Sequence, residues 1–491
     1  MTDPSPSFDA IRVRKVNRAA PRPEGDFVLY WMIAHRRLEW NHALERAVDW
    51  ARALDRPLLI FEALRAGYRW ASPRLHRFCI DGMAEHAERL EGSRVGYFPW
   101  VEPEPGAGKG LLEALAARAA VVVTDEFPSF FIPRMVEAAG EKLGVRLEAV
   151  DANGLLPIAR HGQRFISAYL FRRHLQRVLP EHLSDLPREH PLTGDPLRPF
   201  AGIPTEVAER WPATPRASLE RGSGLIESIG LDAGVQAVPA RGGRKGGLER
   251  LERFLQEGLP GYAEGRKHPD EGHPSGLSPW LHWGHIASHE VVRRVLASEE
   301  WNPSRLGGDA KGARQGWWGA SADVEAFLDQ IVTWRELGYG TAWNDPDHER
   351  YESLPDWALA TLDEHRDDPR PHLYDLEAFE EARTHDPIWN AAQGELRETG
   401  VIHNYLRMLW GKKILEWSSS PEEALETMIH LNNRWGLDGR NPNSTSGIFW
   451  ILGRYDRGWP ERPVFGTVRS MSSDSTRRKV RLDRYLERFG G

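Results

Sequence analysis

The chain has a single cysteine, Cys79, among its 491 residues. That excludes an intrachain disulfide and a cysteine-ligated zinc centre, so no metal is expected and a reducing compartment fits. No apolar run approaches the ~18 residues of a membrane helix, so no span is expected and a cytoplasmic location is the default. An excess of positive charge is missing too: 64 Lys and Arg stand against 71 Asp and Glu, a net charge of −7. A protein uniformly coated with base is excluded, but a local basic face is not. Finally, the first apolar run is followed by Ala34-His35-Arg36-Arg37 rather than GxGxxG. Dinucleotide binding in the usual mode is therefore disfavoured.

What is present points to two or three domains, since 491 residues exceed one ordinary core. Residues 1–20 are polar and proline-bearing and read as a disordered tail. Short apolar runs at 27–33, 57–61, 95–98, 120–124 and 146–150 alternate with helical patterns at 39–54, 73–90, 110–117 and 133–143. This alternation predicts a doubly wound α/β domain with a parallel sheet over 21–180. Residues 181–247 are rich in proline, glycine and charge and read as a linker. From 248 to 491 the pattern is helical, with segments at 248–258, 282–298, 323–337, 376–384, 387–399, 403–417 and 421–433. The second domain is thus predicted to be all-α. Residues 301–320, with five glycines and the pair Trp317-Trp318, read as an exposed loop.

Tryptophan is abundant and unevenly placed: six of the 20 precede residue 270 and fourteen follow it. Indoles at that density suit core packing, stacking on a π-ligand or electron transfer. Trp410 and Trp417 lie seven residues apart, two helical turns along one face. That spacing suits an electron relay and equally a hydrophobic stripe.

The helical half also holds the most distinctive segments. Tyr262 and Arg266 precede Ser275-Gly276-Leu277-Ser278-Pro279-Trp280-Leu281-His282-Trp283-Gly284. Hydroxyls and backbone N–H groups at a helix start suit a pyrophosphate, and they also make an ordinary N-cap. Further on come His385-Asp386-Pro387-Ile388-Trp389-Asn390, the run 407–417 ending Lys412-Lys413-Ile414-Leu415-Glu416-Trp417, Leu431-Asn432-Asn433, Leu437-Asp438-Gly439-Arg440 and Asp456-Arg457-Gly458-Trp459-Pro460. With these the chain resembles the photolyase/cryptochrome family, and most of all its class II cyclobutane pyrimidine dimer photolyases. The resemblance runs from the 28–32 strand to Arg469.

The resemblance implies an α/β antenna domain followed by a helical domain holding FAD. Tyr262 and residues Ser275, Gly276, Leu277 and Ser278 would face the FAD phosphates. Arg407 and Asp438 would form an ion pair beside the isoalloxazine, and Asn432 would face flavin N5. Without the surrounding motifs, Arg407 and Asp438 read equally as a structural ion pair. Trp410, Trp389 and Trp417 match the family's electron-transfer tryptophans. Arg266, Trp334, Met408 and Trp450 match lesion-side positions. Asp456 and Arg457 would fill the gap left when a dimer leaves the duplex, and Arg469 would face DNA. Residues 462–491 carry a net +5, which suits phosphate contact or a solvated face.

The implied activity is light-driven electron transfer from reduced FAD to a pyrimidine dimer in double-stranded DNA. The ring splits and the electron returns, and the protein works as a monomer. A second antenna chromophore of unknown identity belongs in the α/β domain. The family places a glutamate where Gln330 stands, with Asp329 adjacent, and residues 34–42 and 470–475 depart from its pattern. A cryptochrome-like photoreceptor without repair activity and a DNA-binding protein without turnover are the rival readings.

Overall fold

A computed structural model describes residues 3–490, and among these six strands form one sheet. They are β1 Val13–Lys15, β2 Phe27–Met32, β3 Leu58–Leu64, β4 Gly96–Val101, β5 Ala119–Asp125 and β6 Leu147–Val150, in the order β1-β6-β5-β2-β3-β4. β1 is antiparallel to β6, and every other pairing is parallel. Alternation explains why β2 to β6 read as unbroken apolar runs. Phe27, Leu29 and Trp31 enter one core with Leu59, Phe98 and Val122, while Val28, Tyr30 and Met32 enter another with Ile60, Val121 and Val123. A sheet covered on both faces has no polar side to alternate with. The four intervening helices are α1 His42–Leu54, α2 Pro73–Leu90, α3 Leu111–Arg118 and α4 Ile132–Lys142.

β2 lies between β5 and β3, which is where the strand order reverses and where doubly wound sheets bind ligands. Here a carboxylate of the chain itself occupies the backbone donors. Asp125 Oδ2 accepts from the N–H groups of Ile33, Ala34 and His35 at 2.8, 2.7 and 2.9 Å. Its Oδ1 accepts from Tyr30 Oη at 2.7 Å. The absent glycine motif thus has a physical counterpart: this loop is closed by its own anion.

The second unit is helical, and its caps were written in the sequence. Asp386-Pro387, Ser420-Pro421 and Asn441-Pro442 open the helices Pro387–Thr399, Pro421–Trp435 and Pro442–Ile451. In each the first residue accepts backbone N–H bonds and the proline takes a position whose N–H has no partner anyway. The Asn404–Trp417 helix packs between them at Gly411, where a Cβ would come 2.0 Å from Ile451 Cδ1 and 3.1 Å from Met428 Sδ. Only glycine allows that approach.

The structure corrects the expected boundaries. One unit runs up to Arg160 and adds Glu181–Glu249 and Trp280–Arg293; the other takes His161–Pro180, Arg250–Pro279 and the chain from Arg294 onward. The expected tail lies outside the described residues only at Met1 and Thr2. From Asp3 it is tied down, with Val13 paired to Val150 and Asp3 accepting from Lys15 and Arg146 at 2.8 Å each. The expected linker carries helices at Thr205–Arg210 and Arg216–Arg221 and buries Leu197, Val207, Trp211 and Leu219 in the first unit. The expected 282–298 helix is two, Ser278–His282 and Ser288–Ala297, broken at Gly284 with φ +72°. The expected 323–337 helix contains a π-helical turn, Asp329–Trp334, between Ala322–Leu328 and Arg335–Asn344. The 301–320 segment is irregular, but Trp317 and Trp318 are buried.

Asp125 generates a stability prediction. Asp125→Ala orphans three backbone donors and a phenol, and should lower unfolding stability by about 3 kcal/mol. Asp125→Asn, which keeps an acceptor, should cost less. Chemical denaturation of both variants checks the order.

Candidate active site

Every residue given a site role from the sequence falls in the helical unit, whereas Trp280–Gly284 of the 275–284 run belong to the α/β unit. Tyr262 opens a short helix and is buried, with its ring 5.6 Å from those of Phe254 and Phe327. Burial pushes its phenol up to about 12, against the pull of Arg266, whose guanidinium lies 5.9 Å from the ring centroid. The hydroxyl therefore stays neutral. In the 275–278 loop Gly276 has φ +63° and Leu277 is buried. Arg250 holds the loop, donating to the carbonyls of Ser275 and Pro274 at 2.5 Å each. Ser278 begins the helix that follows.

Arg407 Nη2 lies 3.2 and 3.3 Å from the two carboxylate oxygens of Asp438, so the expected ion pair is present. Asn432 is buried, and its NH₂ donates to Ser444 Oγ at 2.8 Å and to Asn433 Oδ1 at 3.0 Å. Both donor hydrogens are committed, which leaves the Oδ1 atom as the group free to meet a ligand N–H. Sequence alone left donor and acceptor open for this amide.

The three tryptophans come together as a buried series. Trp389 Nε1 donates to the carbonyl of Trp410 at 2.9 Å, and Trp410 Nε1 donates to Gln393 Oε1 at 2.9 Å. The rings of Trp389 and Trp417 are 6.1 Å apart at 64°. Beyond Trp417 stand half-buried Tyr374 at 5.6 Å and exposed His385 at 4.9 Å, so the series leads outward.

A third cluster gathers around half-buried Trp450. Lys412 Nζ lies 5.3 Å and the Arg469 guanidinium 5.8 Å from its ring. Arg469 also lies 4.6 Å, and Arg457 5.4 Å, from Trp459, whose Nε1 donates to Asp456 at 3.2 Å. Arg457 is exposed and Arg469, Trp450 and Trp459 half-buried, so two arginines and two indoles share one solvent-facing patch above the buried Lys412. Gln330 and Trp334 are half-buried on the π-helical turn, a device that re-aims side chains within a helix. Asp329 is not free to assist Gln330, because Arg172 Nε binds it at 2.8 Å. Met408 is half-buried on the Asn404–Trp417 helix, next to Arg407.

No protein-family model matches the chain. Curated relatives do. It is 32% identical to the deoxyribodipyrimidine photo-lyase of Methanothermobacter thermautotrophicus, over 98% of each chain. With that of Oryza sativa subsp. japonica the identity is 32%, covering 97% of this chain and 89% of the relative. The chain belongs to the deoxyribodipyrimidine photo-lyase family. The Potorous tridactylus photo-lyase is 31% identical over 96% of this chain and 83% of its own. Among solved structures, a bacterial class III photolyase from Agrobacterium tumefaciens shares the fold, with a TM-score of 0.65 at 19% identity. The match covers 96% of this chain and 86% of that one.

Within this photo-lyase fold, several site residues escaped the sequence reading. Gln393 is fully buried against Trp410, but a glutamine in mid-helix carries no local signal. Trp459 lay within a quoted motif and gains its role only by packing on Arg469. The basic C-terminal run is partly spent internally: Arg481 pairs with Glu271 at 2.6 Å and Tyr485 N donates to Asp270 at 2.9 Å. Arg477, Arg478 and Lys479 remain exposed.

Lys412 is fully buried and donates to the carbonyl of Ile451. Burial pushes its ammonium down to about 7, with Arg469 adding to the effect and Asp456 opposing it. In the unfolded chain a lysine holds its proton to about 10.4, so between these values the unfolded state binds more protons and stability rises with pH. Lys412→Met removes that term. Its stability relative to wild type should therefore fall as pH rises from 7 towards 10, by up to ~1.4 kcal/mol per pH unit. Denaturant titrations across that range read the slope.

Proposed function

We propose that this chain is a photo-lyase that splits cyclobutane pyrimidine dimers in double-stranded DNA under light, with FAD in its helical unit. The observation that carries this reading is the Asn404–Trp417 helix. It holds Arg407 against Asp438 and, one turn on, places Trp410 at the head of a buried indole series. The donor set suits a flavin. The Arg407–Asp438 pair would supply a fixed dipole to a ring that becomes anionic, Asn432 would offer a carbonyl oxygen to a ring N–H, and Tyr262 and the 275–278 loop would offer neutral donors to phosphate. When bound, reduced FAD supplies the light-activated electron.

The chain's own residues handle the lesion. A dimer must leave the base stack, and Trp450, Trp334 and Met408 offer apolar and aromatic surface in place of the lost stacking. Asp456 and Arg457 would fill the gap in the duplex, while Arg469 and Arg266 would meet the DNA. Gln330 would donate an amide hydrogen to a dimer carbonyl where negative charge grows. A second, light-harvesting chromophore would sit in the α/β unit. Trp70 and Phe130, in the loops after β3 and β5, support it: both have left-handed backbone, φ +70° and +61°, with rings stacked at 6.1 Å. Non-glycine residues hold such conformations where the surroundings demand it.

Two experiments test the reading. The purified protein should show a flavin absorption spectrum and, once reduced, repair dimer-containing DNA under blue light. Repaired dimers per absorbed photon should rise in Gln330→Glu, because a protonated carboxyl replaces the amide donor with a more acidic O–H. Binding of dimers without repair in either form would favour a photoreceptor instead. In the second, Arg469→Ala should weaken DNA binding and lower the salt slope by roughly one unit for each phosphate no longer neutralised. Arg457→Ala should in addition erase preference for damaged over intact duplex. An unchanged preference in Arg457→Ala would remove that residue from the gap-filling role.

A further inference from the structure

The two inner indoles of the series share a feature that the outer one lacks. Trp389 and Trp410 are essentially fully buried, and each spends its N–H on an amide oxygen: Trp389 on the backbone carbonyl of Trp410, Trp410 on the side chain of Gln393, both at 2.9 Å. The orientation of Gln393 is fixed by chemistry on both sides. An indole N–H can only donate, so it demands the amide oxygen, and the NH₂ is then left to meet the carbonyl of Glu380 at 3.3 Å. Amide oxygens accept hydrogen bonds but do not take up protons near neutral pH. A group that can, an imidazole, sits instead beside the outer indole: His385 lies 4.9 Å from the Trp417 ring, with Lys413 Nζ at 5.2 Å and the Tyr374 ring at 5.6 Å around it.

From this we infer that Gln393 is a positioning residue whose amide holds the Trp410 N–H without offering it a base, so that oxidised Trp410 keeps its proton and the positive charge moves outward instead of being trapped. The inference rests on the electron-relay reading above. One electron leaves Trp410 for the light-excited oxidised flavin, leaving an indole radical cation. With no base on its N–H, Trp410 cannot shed the proton and become a neutral radical. It recovers an electron from Trp389, and Trp389 recovers one from Trp417. The charge then rests on the indole beside the His385 imidazole, where the N–H proton can be released and an external reductant can return the electron.

Charged groups on the elements around position 393 do not supply a base. Glu380 is paired with Arg434 at 2.6 Å and Arg407 with Asp438. Glu395, two residues on along the same helix, accepts from Tyr485 Oη and His403 N at 2.8 Å each, and burial pushes its carboxyl up. A carboxylate placed at 393 would change the outcome. Each unit by which its proton affinity exceeds that of the radical cation favours the trapped neutral form by about tenfold.

The test compares flavin-bound wild type, Gln393→Glu and Gln393→Leu by transient absorption and electron paramagnetic resonance after a light pulse. Wild type should give a tryptophan radical cation whose form does not change with pH until the charge reaches Trp417. In Gln393→Glu the neutral radical should appear at Trp410 above the titration point of the new carboxyl. Oxidation of Trp417 should drop roughly tenfold for each such unit of proton affinity. Gln393→Leu, which removes the acceptor without adding a base, should keep the cation at every pH. The indole ¹⁵N–¹H spectrum gives an independent readout without light: the Trp410 resonance should titrate in Gln393→Glu and stay pH-independent in wild type. A neutral radical at Trp410 in wild type, or Gln393→Glu behaving as wild type at all pH values, overturns the inference. Absence of any tryptophan radical in flavin-bound wild type would instead remove the relay itself, and this inference with it.

Discussion

Two helices donate an indole N–H to each other, and the geometry of the helical unit follows from that exchange. Trp389 on Pro387–Thr399 binds the backbone of Asn404–Trp417, and Trp410 on Asn404–Trp417 binds Gln393 on Pro387–Thr399. Two bonds running in opposite directions fix both the separation and the rotation of the pair, since sliding either helix breaks one of them. Neighbouring choices serve this arrangement. The Asp386-Pro387 cap sets where the first helix starts and therefore which way Trp389 faces, and Gly411 lets the second helix lie against Ile451. With Trp410 pinned, Arg407 one turn earlier is carried towards Asp438.

Much of this was legible in the sequence because it depends on local chemistry. Strands β2 to β6 were readable as apolar runs, while β1 was hidden in the expected tail, and helices Pro73–Leu90 and Pro387–Thr399 were bounded by caps, prolines and glycines. The Arg407–Asp438 pair and the three tryptophans were found through motifs. What stayed hidden depends on partners distant in sequence. The 181–247 segment looks like a linker because its apolar residues are few, yet Trp211 and Leu219 are buried by packing on the α/β unit. Gln393 and Lys412 look like ordinary helix residues until their partners are known. The π-helical turn at Asp329–Trp334 leaves the apolar spacing of a plain helix almost intact, so periodicity cannot reveal it.

The two units handle charge in opposite ways. In the α/β unit an internal anion, Asp125, satisfies backbone donors at the crevice where such folds often hold a phosphate. The helical unit keeps several polar groups uncommitted or only pairwise committed: the Asn432 oxygen, the Arg407–Asp438 pair, and exposed Arg457 and half-buried Arg469 beside Trp459. An architecture shared with many nucleotide-binding proteins thus says little about where this one binds. The site follows from which polar groups have been left with capacity to spare.

The interleaving of the two units bears on how the protein is made. The α/β sheet is complete in sequence by Val150, yet its unit also needs Trp280, which packs 5.5 Å from Phe78, and Gly284, whose carbonyl accepts from Arg37 at 3.1 Å. Ser288 Oγ likewise binds the carbonyl of Asn153 at 3.2 Å. The cores on the two faces of the sheet use no residue beyond Trp211, but a nascent chain leaving the ribosome cannot cover α2 at Phe78 until Trp280 has been synthesised, and the His161–Pro180 segment of the other unit must wait longer still for its partners. A fragment ending after β6 would leave part of α2 facing water. Translation pauses, chaperone access and truncation limits for this chain should accordingly be set near residue 293 rather than near the end of the sheet.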